Sequence, residues 1–456
     1  ESQKTDLCEL LLKFESIFPD TPSQTLAASH DVDVGDARPI KQRPYRVNPL
    51  KEKYLNAEIE YLLANSLIEP SDSDWSSPCI LVPKADGYSY RFCTDYRKVN
   101  SVTRSDSYPL PRMEDCIDRI GGSQVISKLD LLKGYWQVPL TERAKRISAF
   151  VTPRGLWQYK VMPFGMKNSG ATFQRMMDKL CRDVPNCDVY IDDLVIYTDT
   201  WDEHIECLTL LFSKLQANNL TVNLGKCDFG RAELVYLGHV VGQGRIRPTD
   251  VKVQAIDAIP RPQDKKSLRQ YLGLVGYYRR FCRNFASVAL PLTDLLKKDA
   301  KFVWSSSCEK AFADTKAMLT GHPVLVCPDV RRQFILSVDA SDRGAGAVLQ
   351  HEESGILHPV AFFSKKLKSN ERKYSTIEKE TLSLLLALKH FDVYLCVTLY
   401  PIIVYSDHNP LVFLHKMCNQ NQRLTRWSLQ VQSYALEVRH VPGRNNVVAD
   451  VLSRMF

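Results

Sequence analysis

Asp188-Val189-Tyr190-Ile191-Asp192-Asp193-Leu194-Val195-Ile196-Tyr197 is the stretch that decides the fold. Two short β-favouring runs are separated by Asp192-Asp193, which predicts a hairpin with the paired carboxylates at its tip. Two adjacent anions at a tight turn repel each other, and for an isolated Asp-Asp a solvated turn is the ordinary reading. Here Tyr-Ile on one side and a fully apolar strand on the other point instead to a metal site. A second carboxylate, Asp130, ends the run Val125-Ile126-Ser127-Lys128-Leu129 and is followed by Gly134-Tyr135. One acid on each of two neighbouring strands can hold two Mg²⁺ ions about 4 Å apart, the clamp that in-line phosphoryl transfer needs.

Around this core the pattern is mixed. Pro19, Pro22, Pro39, Pro44 and Pro49 mark a short helix (7–18) followed by an extended arm. Residues 50–65 read as a helix, and 75–100 alternate short apolar runs with turn signals such as Ala85-Asp86-Gly87. A helical stretch is expected over 265–286, with Asp264 as N-cap and Tyr271, Tyr277, Tyr278 and Phe281 interleaved with Arg269, Arg279, Arg280 and Arg283. Most of these aromatics are expected in the core. After Pro328-Asp329 the pattern restarts as a separate α/β domain: a strand (333–338), further strands, a helix (377–391) and a strand (402–405).

The chain has 456 residues, 44% hydrophobic and 25% charged, which suits two or three domains with real cores rather than disorder. The net charge of +8 gains meaning from its location. Residues 260–301 hold ten Lys or Arg against Asp264, Asp294 and Asp299, so this segment alone carries +7. A polyanionic partner and a solvated helix face both fit that charge. The thirteen cysteines include no C-x-x-C pair, so reduced thiols without structural zinc are expected. There is no apolar run of about 18 residues and no leader pattern, so no membrane partner is expected and an intracellular protein is. The chain opens on Glu1 in a polar stretch, as a piece of a larger polypeptide would.

The restarted domain holds its own acids. Asp339 follows Phe334-Ile335-Leu336-Ser337-Val338; Glu378-Lys379-Glu380 lies near a helix start; Asp407 sits in Val404-Tyr405-Ser406-Asp407-His408; and Asp450 ends Asn446-Val447-Val448-Ala449-Asp450. Ser375 with Glu378 three residues later forms a capping-box pattern, which gives Glu378 a structural task and leaves Glu380 for metal.

In chain order, L-D-L-L-K-G-Y-W-Q-V, M-P-F-G-M-K-N-S-G-A-T-F-Q-R, Y-I-D-D and Y-L-G-H-V-V resemble the reverse transcriptases of Ty3/gypsy-type LTR retrotransposon Pol polyproteins, and the second acid set resembles the ribonuclease H fold. The resemblance implies an α+β right-hand polymerase (fingers, palm, thumb) followed by a ribonuclease H-like α/β domain. Its boundaries would be 1–44 for the N-terminal helix and arm, 45–243 for fingers and palm, 244–328 for a basic helical thumb and linker, and 329–456 for the nuclease-like domain. It implies RNA-directed DNA polymerase activity, also DNA-templated, together with cleavage of RNA in RNA:DNA hybrids.

By the same resemblance Asp130, Asp192 and Asp193 are the polymerase carboxylates, with Asp193 the least directly bound to metal. Lys84 and Arg91 would hold the incoming triphosphate, and Tyr135 would lie under the nucleotide sugar, where its ring disfavours a 2′-hydroxyl. Phe164, Gly165 and Lys226 would complete the nucleotide site. Tyr236-Leu237-Gly238-His239 would be the primer grip, and Arg269, Arg279, Arg280 and Arg283 the template and primer contacts of the basic helix. Asp339, Glu380, Asp407 and Asp450 would be the nuclease carboxylates, the family register agreeing with Glu380 over Glu378.

Two Mg²⁺ per site are implied, with Mn²⁺ left open because oxygen-rich sites accept both. The implied partners are RNA template, DNA primer, RNA:DNA hybrid and dNTPs. Monomers and homodimers both occur in the family. The implied location is the cytoplasm, in a virus-like particle, with the nucleus left open. Three departures stand out: Asn168-Ser169-Gly170-Ala171 lacks the family's proline, Lys133 replaces a usually small residue, and Ser406 replaces a common threonine. His440 is read as a packed or surface residue, with a catalytic role left open. A catalytically decayed remnant that binds nucleic acid is the rival reading, and all seven acid positions carrying acids weighs against it.

Overall fold

The computed structural model describes residues 2–83, 90–321, 323–341, 344–406 and 422–441. The expected site residues Lys84, Asp407 and Asp450 lie outside them. The chain divides into two compact units, Glu1–Cys116 with Ser123–Leu234, and Ile117–Gly122 with Val235–Phe456.

The first unit carries two sheets. One is antiparallel and four-stranded, in the order Cys187–Tyr190, Asp193–Thr198, Val125–Asp130, Asp228–Arg231. Its central strands bury Ile126, Leu129, Leu194, Val195 and Ile196. Helix Ser169–Cys181 packs on the edge strand Cys187–Tyr190, and helix Trp201–Ala217 on Asp193–Thr198. The first turns Phe173, Met176, Met177 and Leu180 inward, spaced as one helical face requires. The second sheet has five strands, in the order Ile68–Pro70, Gly155–Tyr159, Phe150–Thr152, Ser77–Pro83, Tyr90–Thr94.

The expected N-terminal helix runs Ser2–Lys13 and then tightens into a 3-10 turn, Glu15–Ile17. The arm beyond it is extended and tied down: Thr25 N–H donates to the Gln137 carbonyl at 2.7 Å, His30 N–H to Pro139 at 2.8 Å, and Gln42 N–H to Ser76 at 3.0 Å.

In the second unit, hairpin strands His239–Gly242 and Arg245–Pro248 lie between Glu233–Tyr236 and Leu325–Val326. A five-stranded sheet then follows in the order Ile356–Lys366, Gly344–Glu353, Phe334–Ala340, Ile402–Ser406, Leu436–His440, the last three mutually parallel. Helix Thr376–His390 lays Leu384, Leu385 and Leu388 on it.

The single helix expected over 265–286 is a correction. Helix Lys265–Tyr277 stops, a 3-10 turn follows at Arg279–Phe281, and a short helix Phe285–Val288 begins after Asn284 at φ 59°. Tertiary packing overrides local propensity here, because Tyr278 and Phe281 turn inward around His239, with ring centroids 5.3 and 5.5 Å away. Asp264 is the N-cap, within a full capping box closed by Ser267.

Candidate active sites

Antiparallel register sets the first site. Asp130 is the last residue of its strand and stands opposite Asp193, which in turn stands opposite Tyr190. The two-residue turn is therefore Ile191-Asp192, one position earlier than the sequence suggested, and Asp193 already belongs to the strand. Ile191 has φ 57°, a conformation that β-branched residues avoid and that is characteristic of functional sites. Its N–H donates to the Gln174 side-chain oxygen at 2.7 Å.

The three carboxylates are partly balanced by lysines. Lys128 Nζ lies 3.3 Å from Asp193 Oδ1, and Lys226 Nζ lies 3.5 Å from Asp130 Oδ1. The Asp192 carboxyl is accessible at the turn but still surrounded closely enough that loss of hydration pushes its pKa upward. A backbone hydrogen bond opposes that shift, the charges of Asp193 and Asp130 add to it, and Lys226 pulls it back. An excess of anion over cation in an all-oxygen donor set is what a hard divalent cation relieves. Among the described residues no three His, Cys, Asp or Glu side chains are grouped as a ready-made metal cage. The set fits an ion such as Mg²⁺, which usually keeps water and substrate phosphate among its ligands.

An aromatic cluster adjoins these acids. Tyr135 stacks on Phe164, with centroids 5.2 Å apart and planes at 28°, and its other neighbour is Phe173 at 5.4 Å. Gly134 packs closely there, since a Cβ would stand 3.0 Å from Phe173 Cζ and 3.5 Å from Asp192 Cβ. Burial, then the Asp192 charge, push the Tyr135 phenol upward. Phe164 is exposed, and Gly165, at φ 90°, has its carbonyl fixed by Asn100 Nδ2 at 2.8 Å.

Arg91 is exposed on the strand opposite Val82. The departure at Lys133 has a local account: its backbone is left-handed at φ 50°, and its ammonium lies 4.6 Å from the Tyr61 ring centroid and 4.7 Å from that of Trp136. At the departure in Asn168-Ser169-Gly170-Ala171, Asn168 takes φ 70° before the helix, and a Cβ on Gly170 would lie 3.6 Å from the Tyr135 hydroxyl.

In the second unit the segment Tyr236-Leu237-Gly238-His239 forms a tight turn with φ 46° at Leu237 and 81° at Gly238. Burial lowers the His239 pKa to about 4, and the ring packs among Tyr277, Tyr278 and Phe281. Of the basic residues expected to meet nucleic acid, Arg269 and Arg279 are exposed. Arg280 is instead held at 2.9 Å by Asp118, both side chains nearly buried at 11% and 9% exposure. Asp118 also accepts from the Tyr394 hydroxyl at 2.5 Å. Arg283 is half-buried, and burial lowers its pKa.

Of the nuclease-like acids, Asp339 and Glu380 lie among the described residues. Asp339 is 3% exposed and stands opposite Gly346. Ser383 of helix Thr376–His390 donates to the Asp339 carbonyl at 2.8 Å, and Glu380, 4% exposed, lies one turn earlier on that helix. Two buried carboxylates thus stand on touching elements. The capping box at this helix is present: Ser375 N–H donates to Glu378 Oε2 at 2.9 Å, while Glu378 Oε1 takes Arg423 at 2.8 Å. Ser406 ends its strand opposite His440, which is exposed. Sequence reasoning missed Gln174 and Asp118, whose partners are distant in the chain and leave no local pattern.

Comparison with known proteins agrees with this architecture. Residues 82–241 match the family described as reverse transcriptase (RNA-dependent DNA polymerase), and 329–434 match the RNase H-like domain found in reverse transcriptase. The chain is 37% identical over 439 residues to the retrovirus-related Pol polyprotein from transposon 297 of Drosophila melanogaster, covering 94% of this chain and 41% of that protein. It is 32% identical over 418 residues to the transposon Tf2-3 polyprotein of Schizosaccharomyces pombe, covering 91% and 31%. The chain thus spans about a third to two fifths of these relatives.

The fold is shared with the foamy viral protease-reverse transcriptase solved in complex with dsDNA, at TM-score 0.84 and 24% identity, over 97% of this chain and 94% of that one. No described helix is long and apolar enough to cross a membrane. The chain therefore belongs to the family that joins a reverse transcriptase domain to an RNase H-like domain, homologous to the Pol polyproteins of Ty3/gypsy-type LTR retrotransposons.

Proposed function

We propose that the chain is an RNA-directed DNA polymerase, accepting DNA templates as well, whose second domain cleaves the RNA of RNA:DNA hybrids. The observation that carries this reading is the register pair Asp130 and Asp193 with Asp192 at the adjoining turn, its carboxyl pushed upward by partial loss of hydration and by the two neighbouring acids. Mg²⁺ held by Asp130 and Asp192 would lower the pKa of the primer 3′-hydroxyl and neutralise charge on the leaving pyrophosphate.

The remaining roles belong to side chains. Lys84 and Arg91 would clamp the triphosphate, a task that suits bare cations. The Tyr135 ring, fixed by Phe164 and Phe173, would collide with a 2′-hydroxyl and so favour deoxynucleotides. Lys226 holds Asp130 in place and supplies positive charge beside it. The exposed Arg269 and Arg279 would neutralise duplex phosphates. In the second domain Asp339 and Glu380, with Asp407 and Asp450, would hold the two ions that activate water for hybrid cleavage, and contacts to 2′-hydroxyls would select the RNA strand. On this reading the chain works as part of a retrotransposon polyprotein, in the cytoplasm within a virus-like particle.

Primer extension on an RNA template with dNTPs and Mg²⁺ tests the first activity. The parent is expected to extend and Asp130→Asn and Asp192→Asn to be inert. Tight hybrid binding by a parent that neither extends nor cleaves would contradict the reading and leave a nucleic-acid-binding remnant.

A further inference from the structure

We infer that Gln174 is a positioning residue of the polymerase site: its carboxamide holds the backbone of the Ile191-Asp192 turn and so sets where the Asp192 carboxylate stands. The inference rests on the polymerase reading and extends it to a residue outside the carboxylate set.

Gln174 lies on helix Ser169–Cys181 and is fully buried. Its oxygen accepts the Ile191 N–H at 2.7 Å, and its nitrogen donates to the Val189 carbonyl at 3.0 Å and to Asp178 Oδ1 at 2.8 Å. The amide orientation follows from the partners, since an N–H must face the oxygen and a carbonyl and a carboxylate must face the nitrogen.

The backbone partners flank Tyr190, at the end of the edge strand Cys187–Tyr190. An edge strand has no neighbour on its outer side, and one side chain supplies the missing donor and acceptor there. The grip falls on the strained residue. With φ 57°, Ile191 would relax toward an ordinary conformation if its N–H lost its partner, and Asp192 would move with it.

The brace extends further. Asp178, one turn along the helix, accepts the Tyr108 hydroxyl at 2.5 Å. The adjacent Phe173 lies 5.4 Å from Tyr135, so the same helix turn supports the Tyr135 ring and the carboxylate turn. Glutamate at 174 would set a second carboxylate against Asp178 and the Val189 carbonyl. An apolar residue of equal length would satisfy none of the three partners.

The test compares Gln174→Met and Tyr108→Phe with the parent, each as the full chain. Amide hydrogen exchange in 187–198 is expected to accelerate by about tenfold or more in Gln174→Met, with the rest of the protein unchanged. In primer extension kcat is expected to fall by about tenfold and the Mg²⁺ half-saturation to rise, while the dNTP KM and hybrid cleavage hold. Tyr108→Phe, at a half-exposed ring, should shift both readouts less in the same direction, and it decides the matter if Gln174→Met does not fold. Unchanged exchange in 187–198 and unchanged kcat would overturn the inference. A parent that fails to extend would sink the polymerase reading instead, and the exchange comparison would still decide whether Gln174 holds the turn.

Discussion

The Tyr277 hydroxyl donates to the Leu237 carbonyl at 2.8 Å, and one residue further in both segments the Tyr278 hydroxyl reaches the Gly238 carbonyl at 3.3 Å. Two tyrosines at the end of a basic helix thus grip a turn whose central residues both have positive φ. Leucine is disfavoured there, so the turn needs outside support. Proposed as the primer grip, this turn would be aimed by the helix that carries Arg269.

Removing the grip should be visible in primer handling. Tyr277→Phe is expected to lower stability by about 1 kcal/mol, the worth of one hydrogen bond. It should also weaken primer-template affinity several-fold with little change in dNTP KM, as read by filter binding and single-nucleotide addition. Unaltered affinity would separate the turn from primer binding.

The arginines should divide into two classes. Arg269→Ala and Arg279→Ala are each expected to weaken duplex binding and reduce its salt slope by about one. Arg280→Ala and Asp118→Asn should instead lower stability by about 3–5 kcal/mol, because each leaves a buried partner uncompensated. Denaturant titration beside salt-dependent binding checks both halves.

At the nuclease-like helix, Glu378→Gln should lower stability by about 1 kcal/mol and leave hybrid cleavage intact, since its carboxylate closes the cap. Glu380→Gln should abolish cleavage without loss of stability, because it removes a buried charge. Cleavage surviving Glu380→Gln would reverse the assignment.

Acid should loosen the protein through its buried histidines. Burial lowers His30, His204 and His239 to about 4 from an ordinary 6.5. Each is neutral in the fold and takes a proton more readily when unfolded. Their contribution is whole above about pH 6.5 and is lost as pH falls toward 4. Asp31 and Asp95, lowered to about 2 by arginine partners, hold their contribution through that window. Stability by urea titration should therefore fall between pH 6.5 and 4.5. His204→Gln, which keeps polar atoms facing Ser127 and Thr198, should flatten the fall.

What was legible in the sequence was local or periodic. The caps at Asp264 and at Ser375 with Glu378 are spelled within four residues, and the strands flanking Asp130 and Asp192 announce themselves by β-favouring apolar runs. The turn was misplaced by one residue because Asp-Asp resembles a tip, whereas cross-strand register puts Asp193 inside the ladder opposite Asp130. The helix break at Tyr278 was hidden because its cause, packing around His239, lies about forty residues away. The Gln174 brace and the Asp118–Arg280 pair, 17 and 162 residues apart, have no pattern to read.

Two separate carboxylate sites on one chain should be separable in a single doubly labelled reaction. An RNA template and a DNA primer, each tagged, are followed with dNTPs and Mg²⁺ in the parent, Asp192→Asn and Asp407→Asn. DNA extension is expected to be lost only in Asp192→Asn, and RNA shortening only in Asp407→Asn. Loss of both activities in either variant, or neither activity in the parent, would rule out two independent sites.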